Sequence, residues 1–418
     1  MNILLINHYA GSVIHGMEFR PYYMAREWVK RGHRVRIVAA SQAHVRKQQP
    51  RPEKVGSVED IDGIEYQWMK TPAYDGNSPA RAVNIFAFAG KLWALSTRLA
   101  SEFQPDIVIA SSTHPFDIYA AERIARRAKA RLVFELHDLW PLSPIELGGM
   151  SPYHPFILAV GAAEKRALTA ADTVVSILPA TKSYLVSRGM APDKFVHVPN
   201  GINVTEWNDT AQPLPETHAR TLDQLRAQGK FLVGYAGAHG IANGLDSLME
   251  AARLSDDGSV QFVLVGHGPE KSDLLMKRDR LKLENVTFLD PVPKTSIPSL
   301  LEKFDTLCFT LQRQPLFRFG ISPNKLMDYM MASKPIIQAV SAGNDPIADA
   351  GCGISVAPEE PRMLLSAVRQ LRQLDLPTIT SMGQRGRAYA LAHHDYRVLA
   401  ERFLTAAGGP DSSRNGIG

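Results

Sequence analysis

Two cysteines, Cys308 and Cys352, are all that this chain of 418 residues contains. They form no CxxC or CxxH spacing and cannot build a disulfide framework, which points to a reduced, cytoplasmic compartment. No apolar run approaches the roughly 20 residues of a membrane span. The opening MNILLINHYAG is too short for a secretory h-region, lacks a basic flank and reads as a strand. Charge of one sign is scarce too: 47 Lys and Arg against 42 Asp and Glu leave a net charge of +5. A nucleic-acid surface concentrates far more, so nucleic acid is not expected as a partner; an anionic ligand or an anionic membrane surface suits the balance better. The sequence also lacks a P-loop GKS or GKT, a GxSxG elbow, and the HxxxH, HExxH and paired CxxC patterns that hold metals. No metal and no resident cofactor are expected.

What is present is a repeated strand–helix rhythm. Near the start, NILLINHY reads as a buried strand, FRPYYMAREWVKRG as a helix with Met24/Trp28 and Ala25/Val29 paired at i,i+4, and HRVRIVAAS as the next strand. PDIVIASS, RLVFELHD, ADTVVSIL and KFVHVPNG continue the series, with EDID at 59–62 read as a turn. A turn-rich stretch at 199–216 breaks the pattern. It then restarts with FLVGYAGAHG, VQFVLVGHGPE, NVTFLDPV, FDTLCFTL, KPIIQAV and GISVAP. The fold class is therefore α/β, with two Rossmann-like, doubly wound domains facing a central cleft. The expected boundaries are 1–200 for the first domain, 201–216 for a linker and 217–387 for the second. A C-terminal helix at about 388–407 is expected to pack back on the first domain, before a disordered tail at 408–418. Ligands of open parallel sheets bind beyond the carboxyl ends of the strands.

Three stretches stand out against this frame. In FGISPNKLMDYM, Ser322 is a good N-cap and Pro323 suits the first helical position. The free N–H groups of such a helix start make an anion site with Gly320, Ile321, Ser322 and Asn324 around it. Lys325 sits where the helix dipole disfavours a cation unless an anion shares the site. Asp328, one turn on, is placed to accept hydrogen bonds from a diol. The bland alternative is a surface helix with a chance Lys–Asp i,i+3 pair, and from these residues alone the two readings stand level. The second stretch, GYAGAHGIANGLDSL, follows the first strand of the second domain and contributes Gly237, His239 and Asn243; Gly266 follows the next strand. The third, FELHDLWP, places Glu135, His137 and Asp138 at a strand end facing the expected cleft.

Taken in order, these motifs resemble the GT-B glycosyltransferases, and within them the retaining, nucleotide-sugar-dependent family 4. GMEFRPYYMAREWVKRGHRV is similar to the family's Gly-rich loop and first helix, PNGIN to its interdomain turn, FVLVGHGPE to its VGxGP strand-turn, and SPNKLMDYMMASKPII to its Glu-x-Met-x-x-Gly-x-Pro helix. NHYAGSVIHGMEFRPYYMAREW, ELHDLWPLSPIELGGM and PLFRFGISPNKLMDYM resemble the bacterial O-antigen and capsule branch that transfers N-acetyl-L-fucosamine-type sugars. The resemblance implies that Asp328 bonds the donor ribose, that His137 lies near the transferred sugar, and that Gly16 packs against the donor phosphates. It implies a hexosyltransferase working without a metal. Such an enzyme moves a sugar from a UDP-linked donor, with retention, to a polyprenyl-diphosphate-linked glycan for surface polysaccharide synthesis. The catalytic candidates are His137, Glu135 and Asp138, with no general base singled out and Asp138 equally placed to brace His137.

The sequence departs from that pattern. No acid lies between Asp305 and Asp328, so the first Glu of the family's E-x7-E is missing. The family's diphosphate-gripping Arg and Lys are replaced by Ala238 and Asn243. Lys325 is the residue left to supply that charge. Two other readings remain: a GT-B UDP-sugar 2-epimerase, and a nucleotide-sugar-binding protein without catalysis. NIFAFAGKLWALSTRLA and RIARRAKAR each read either as lipid-contacting elements on the inner face of the plasma membrane or as a buried helix and a solvated basic face.

Overall fold

The computed structural model describes residues 1–51, 57–76, 78–256 and 258–408. The chain divides into two compact units, Met1–Asn200 with the residues from Tyr396 on, and Gly201–Asp395. The tail expected to be disordered lies outside the described residues from 409 onward.

The first unit is built on eight strands: β1 (Asn2–Ile6), β2 (Arg34–Ala40), β3 (Val58–Ile61), β4 (Ile64–Met69), β5 (Ile107–Ala110), β6 (Arg131–Leu136), β7 (Thr173–Ser176) and β8 (Phe195–His197). Their order across the sheet is β3-β4-β2-β1-β5-β6-β7-β8. All neighbours run parallel except β3, which pairs antiparallel with β4. The short Val/Ile/Leu runs are buried on both faces, as a parallel sheet between helices requires. The EDID segment corrects the expectation of a turn, because Val58–Ile61 is a strand. The turn is Asp62–Gly63, both at positive φ, which is the backbone that a two-residue hairpin needs.

The second unit is a wholly parallel six-stranded sheet in the order β11-β10-β9-β12-β13-β14. Its strands are β9 (Phe231–Ala236), β10 (Val260–Val265), β11 (Val286–Leu289), β12 (Thr306–Thr310), β13 (Ile336–Ala339) and β14 (Gly353–Val356). Within 201–216, expected as a linker, Val204–Asp209 is a short helix whose Glu206 N–H is capped by the Asn203 side chain. The stretch expected as one C-terminal helix is two. The helix Leu376–His393 belongs to the second unit and stops where His394 accepts from Ile202 N–H through its carbonyl and Asp395 bridges Ile202. The helix Tyr396–Ala406 then packs on Arg20–Lys30 of the first unit, with Phe403 against Trp28 and Tyr396 stacked on Tyr23. Trp28 Nε1 donates to the Ala400 carbonyl at 3.0 Å.

Candidate functional site

Each unit gathers polar side chains beyond the carboxyl ends of its strands. In the second unit the helix Asn324–Met331 starts one residue later than expected: extended Pro323 is the N-cap, and no side chain caps it. Ser322 is therefore not the cap, because the residue after it leads the chain into the helix from an extended backbone. Ile321 is held on both sides by Asn344, whose Oδ1 accepts from Ile321 N–H at 2.8 Å and whose Nδ2 donates to the Ile321 carbonyl at 3.1 Å. That pin, 23 residues away in sequence, is what fixes the loop ahead of the helix; Gly320 makes the bend before it, at φ +99°.

Lys325 does not pair with Asp328, and the chance i,i+3 pair is ruled out. Its ammonium turns inward and donates to Tyr235 Oη at 2.8 Å and Asn243 Oδ1 at 2.6 Å. It lies over the Tyr235 ring, 4.7 Å from the centroid. The Asn243 amide is oriented for this, since its Nδ2 donates to the Ala238 carbonyl and leaves Oδ1 toward the lysine. Among the described residues no carboxylate pairs with Lys325, and burial lowers its pKa to about 8. Gly237 makes room for it: a side chain there would stand 3.1 Å from Nζ. The Asp328 carboxylate meets no hydrogen-bond or ion-pair partner among the described residues; burial raises it to about 6, against the pull of Lys294.

Gly266 stands where two loops of the second unit meet. A Cβ on it would meet the Gly237 carbonyl at 1.9 Å, so it lets the loops after β9 and β10 close on each other. His239 sits inside that junction, fully buried, with neither ring nitrogen hydrogen-bonded; burial, then Lys271, lowers it to about 4. Asn324 is exposed at the helix start.

In the first unit, Glu135 closes β6 and is 2% exposed. Its Oε1 takes Nε of Arg20 at 3.0 Å and its Oε2 takes Ser111 Oγ at 2.6 Å. His137 Nε2 lies 3.1 Å from the same Oε2 and 2.9 Å from Ser111 Oγ. Burial alone would raise the Glu135 carboxyl, but Arg20 and then His137 outweigh it and hold it well below the usual carboxylate range. Asp138 does not brace His137. Its carboxylate accepts from Leu139 N–H at 2.8 Å, Trp140 Nε1 at 3.1 Å and the Ser143 hydroxyl, and so shapes the loop that follows. Gly16, at φ +93°, ends a tight loop in which its N–H donates to the Ser12 carbonyl at 2.8 Å.

Beside this group runs a buried chain that the sequence reading left out. His8 Nε2 meets Asn84 Oδ1 at 2.5 Å and His8 Nδ1 meets His114 Nε2 at 2.7 Å. Burial lowers His8 well below its usual value and takes His114 to about 3. Asp117, also buried, rises to about 7 and keeps one oxygen without a partner. Only the position of His8 just after β1, and of His114 and Asp117 just after β5, at the ligand-binding edge of a parallel sheet, marked them in the sequence, and Asn84 comes from the helix Pro79–Phe103. Among the described residues, no group of three or more His, Cys, Asp or Glu side chains is placed to hold a metal ion.

Residues 15–201 match the family of glycosyl transferase 4-like domains, and residues 230–373 match the glycosyl transferases group 1. WcaI of Escherichia coli K12, a glycosyl transferase named for colanic acid biosynthesis, is 22% identical over 355 residues, spanning 82% of this chain and 86% of WcaI. WbjE of Pseudomonas aeruginosa, named as a glycosyltransferase, is 20% identical over 312 residues, or 74% and 76% of the two chains. Among solved structures, HepE of Anabaena in complex with UDP superposes with a TM-score of 0.66 at 17% identity, over 98% of this chain and 100% of HepE. WaaG, a glycosyltransferase involved in lipopolysaccharide biosynthesis, superposes with a TM-score of 0.63 at 15% identity, over 97% and 100%.

Proposed function

We propose that this chain, a GT-B glycosyltransferase by its fold and its two matched domains, moves a hexosyl residue from a UDP-linked donor to a lipid-linked glycan during surface polysaccharide synthesis. The observation that carries the reading is Lys325, a half-buried ammonium with only neutral partners among the described residues, at a helix start that no side chain caps. A cation so placed has given up water without gaining an anion, and a diphosphate would supply one. Asp328, with its carboxylate unengaged, is assigned to the donor ribose, beside Gly237, Asn243, Gly320, Ile321, Ser322 and Asn324. Gly266 and His239 act behind this surface, in the loop junction. The UDP complex of HepE supports uridine diphosphate as the leaving group, and the names of WcaI and WaaG support a polysaccharide product.

In the reaction, the bond from the sugar's anomeric carbon to the diphosphate oxygen breaks and its electron pair leaves with UDP. The acceptor hydroxyl bonds to the same carbon, on the same face, and its proton passes to the departing diphosphate oxygen. Negative charge grows on the leaving phosphate, where a fixed ammonium and oriented N–H groups stabilise it without rearranging. His137 is assigned to the sugar side of the reaction. An N-acetylated 6-deoxy amino sugar as donor rests on the motif resemblance alone. No helix among the described residues is long and apolar enough to cross a membrane. Peripheral contact with anionic lipid is supported by the helix Pro79–Phe103. Ile85, Phe88, Leu92 and Leu99 face inward, while Phe86 and Trp93 stay 48% and 46% exposed and Arg123 stacks on Trp93.

The deciding experiment measures UDP release from a panel of UDP-sugars with and without a polyprenyl-diphosphate glycan. Release that depends on acceptor supports transfer. A free epimerised sugar without acceptor would favour the epimerase, and binding without turnover would favour a catalytically silent protein.

A further inference from the structure

We propose that Arg20 and Glu135 are positioning residues that hold His137 as its Nε2–H tautomer, so that Nδ1 is the nitrogen offered to a ligand. Two oxygens meet His137 Nε2: Glu135 Oε2 at 3.1 Å and Ser111 Oγ at 2.9 Å. An ionised carboxylate can only accept. The single proton of Ser111 points to that carboxylate at 2.6 Å, so the face of Oγ toward His137 is a lone pair. Asn7 Nδ2 approaches the same Oγ at 3.2 Å, as a donor, and adds no competing acceptor. Nε2 therefore stands between two acceptors and carries the ring's proton. In a neutral imidazole that leaves Nδ1 with the lone pair.

The arrangement depends on Glu135 staying ionised while fully buried. A lone carboxylate in such a place takes up a proton instead. Protonated, it would donate to Nε2 and reverse the ring. Arg20 prevents this through its guanidinium, 2.9 Å from Oε1. That guanidinium is itself fixed from a second direction, donating to the Val198 carbonyl at 2.9 Å and to the Pro199 carbonyl. The order of control runs from the 198–199 backbone to Arg20, then Glu135, then His137. It has a chemical consequence for the ligand: a lone pair at Nδ1 receives a hydroxyl and repels a phosphate oxygen. His137 thus recognises a sugar hydroxyl and not the diphosphate.

This consequence rests on the function proposed above, whereas the tautomer does not, and the test separates them. In the full chain labelled with 15N-histidine, long-range proton–nitrogen spectra at pH 8 distinguish a protonated ring nitrogen from a bare one; the His137 signals are assigned by their loss in His137→Gln. The expected result is a single form with the proton on Nε2. A proton on Nδ1 would overturn the proposal. In Glu135→Gln the amide can donate or accept, so a mixture of tautomers is expected, with kcat down 10-fold or more and donor KM within 2-fold. A single unchanged tautomer in that variant would overturn the positioning role. Should Glu135→Gln fail to fold, Arg20→Gln gives the same reading, because it removes the charge that keeps Glu135 ionised and lets a protonated carboxyl donate to Nε2: mixed or reversed tautomers support the proposal and one unchanged form sinks it. A protein that passes the tautomer test yet transfers no sugar would discard the function and leave this assignment standing.

Discussion

Lys325 and Asp328 are one helical turn apart, and burial shifts both toward their neutral forms, the lysine downward and the aspartate upward. Replacing Lys325 with Met removes a cation whose hydrogen-bond partners are all neutral. Charge-assisted hydrogen bonds contribute about 1.5–3 kcal/mol, so UDP affinity should fall roughly 10- to 100-fold in calorimetry. The thermal midpoint should hold or rise, because the variant no longer buries a charge. With Lys325 titrating near 8, UDP should also bind more weakly as the pH passes 8, a loss that Lys325→Arg should suppress. Asp117 supports a stability prediction. Burial raises its carboxyl from 3.8 to about 7, so between those values the folded chain keeps a proton that the unfolded chain releases. Stability contributed at this site therefore declines as pH climbs through that window. Asp117→Asn should remove the decline: the variant should match the parent near pH 4 and exceed it at pH 7 by something on the order of 4 kcal/mol, read from urea denaturation at each pH. His114, buried and lowered, contributes in the opposite sense between about 3 and 6.5, and the variant-minus-parent difference cancels it.

Elements differ in how far local sequence reveals them. The parallel strands were legible because buried runs such as NILLI and VQFVLV admit few other readings. β3 was missed: its four residues are half acidic, and it is a strand only because β4 lies beside it. The helix break at His394 was hidden for the same reason, since the residue that interrupts the helix is Ile202, far away in sequence. The site follows this rule. Lys325 was legible as an ill-placed cation, but Tyr235, which receives it, is 90 residues off; Glu135 could be named, but not Arg20, which occupies it from 115 residues away. The helix Pro79–Phe103 combines both cases, with an inward stripe at helical spacing and an outward one of Val83, Phe86 and Trp93. Full-length protein should co-sediment with anionic vesicles and wash off in high salt. The double change Phe86→Ser and Trp93→Ser should cut recovery several-fold without moving the thermal midpoint; equal recovery of the variant would remove this helix from the contact.

At the scale of the molecule, the helix Tyr396–Ala406 is part of the first unit's core. Leu399, Ala400, Phe403 and Leu404 are buried in the same cluster as Trp28, Val35 and Ile37. Phe403→Ala should cost about 3–5 kcal/mol, as a large aromatic leaving a filled core does, and tryptophan fluorescence during urea unfolding would register it. A chain ending at Asp395 should lose the first unit's cooperative transition. This return also means that the polypeptide passes between its units twice, at Asn200–Gly201 and at Asp395–Tyr396. Neither unit's neighbour can be trimmed away from one end without harm. A circular permutant that begins at Gly201, with Gly408 joined to Met1 through a flexible tether, would make both units continuous in sequence, and a single protease site ahead of Tyr396 would then release each one whole.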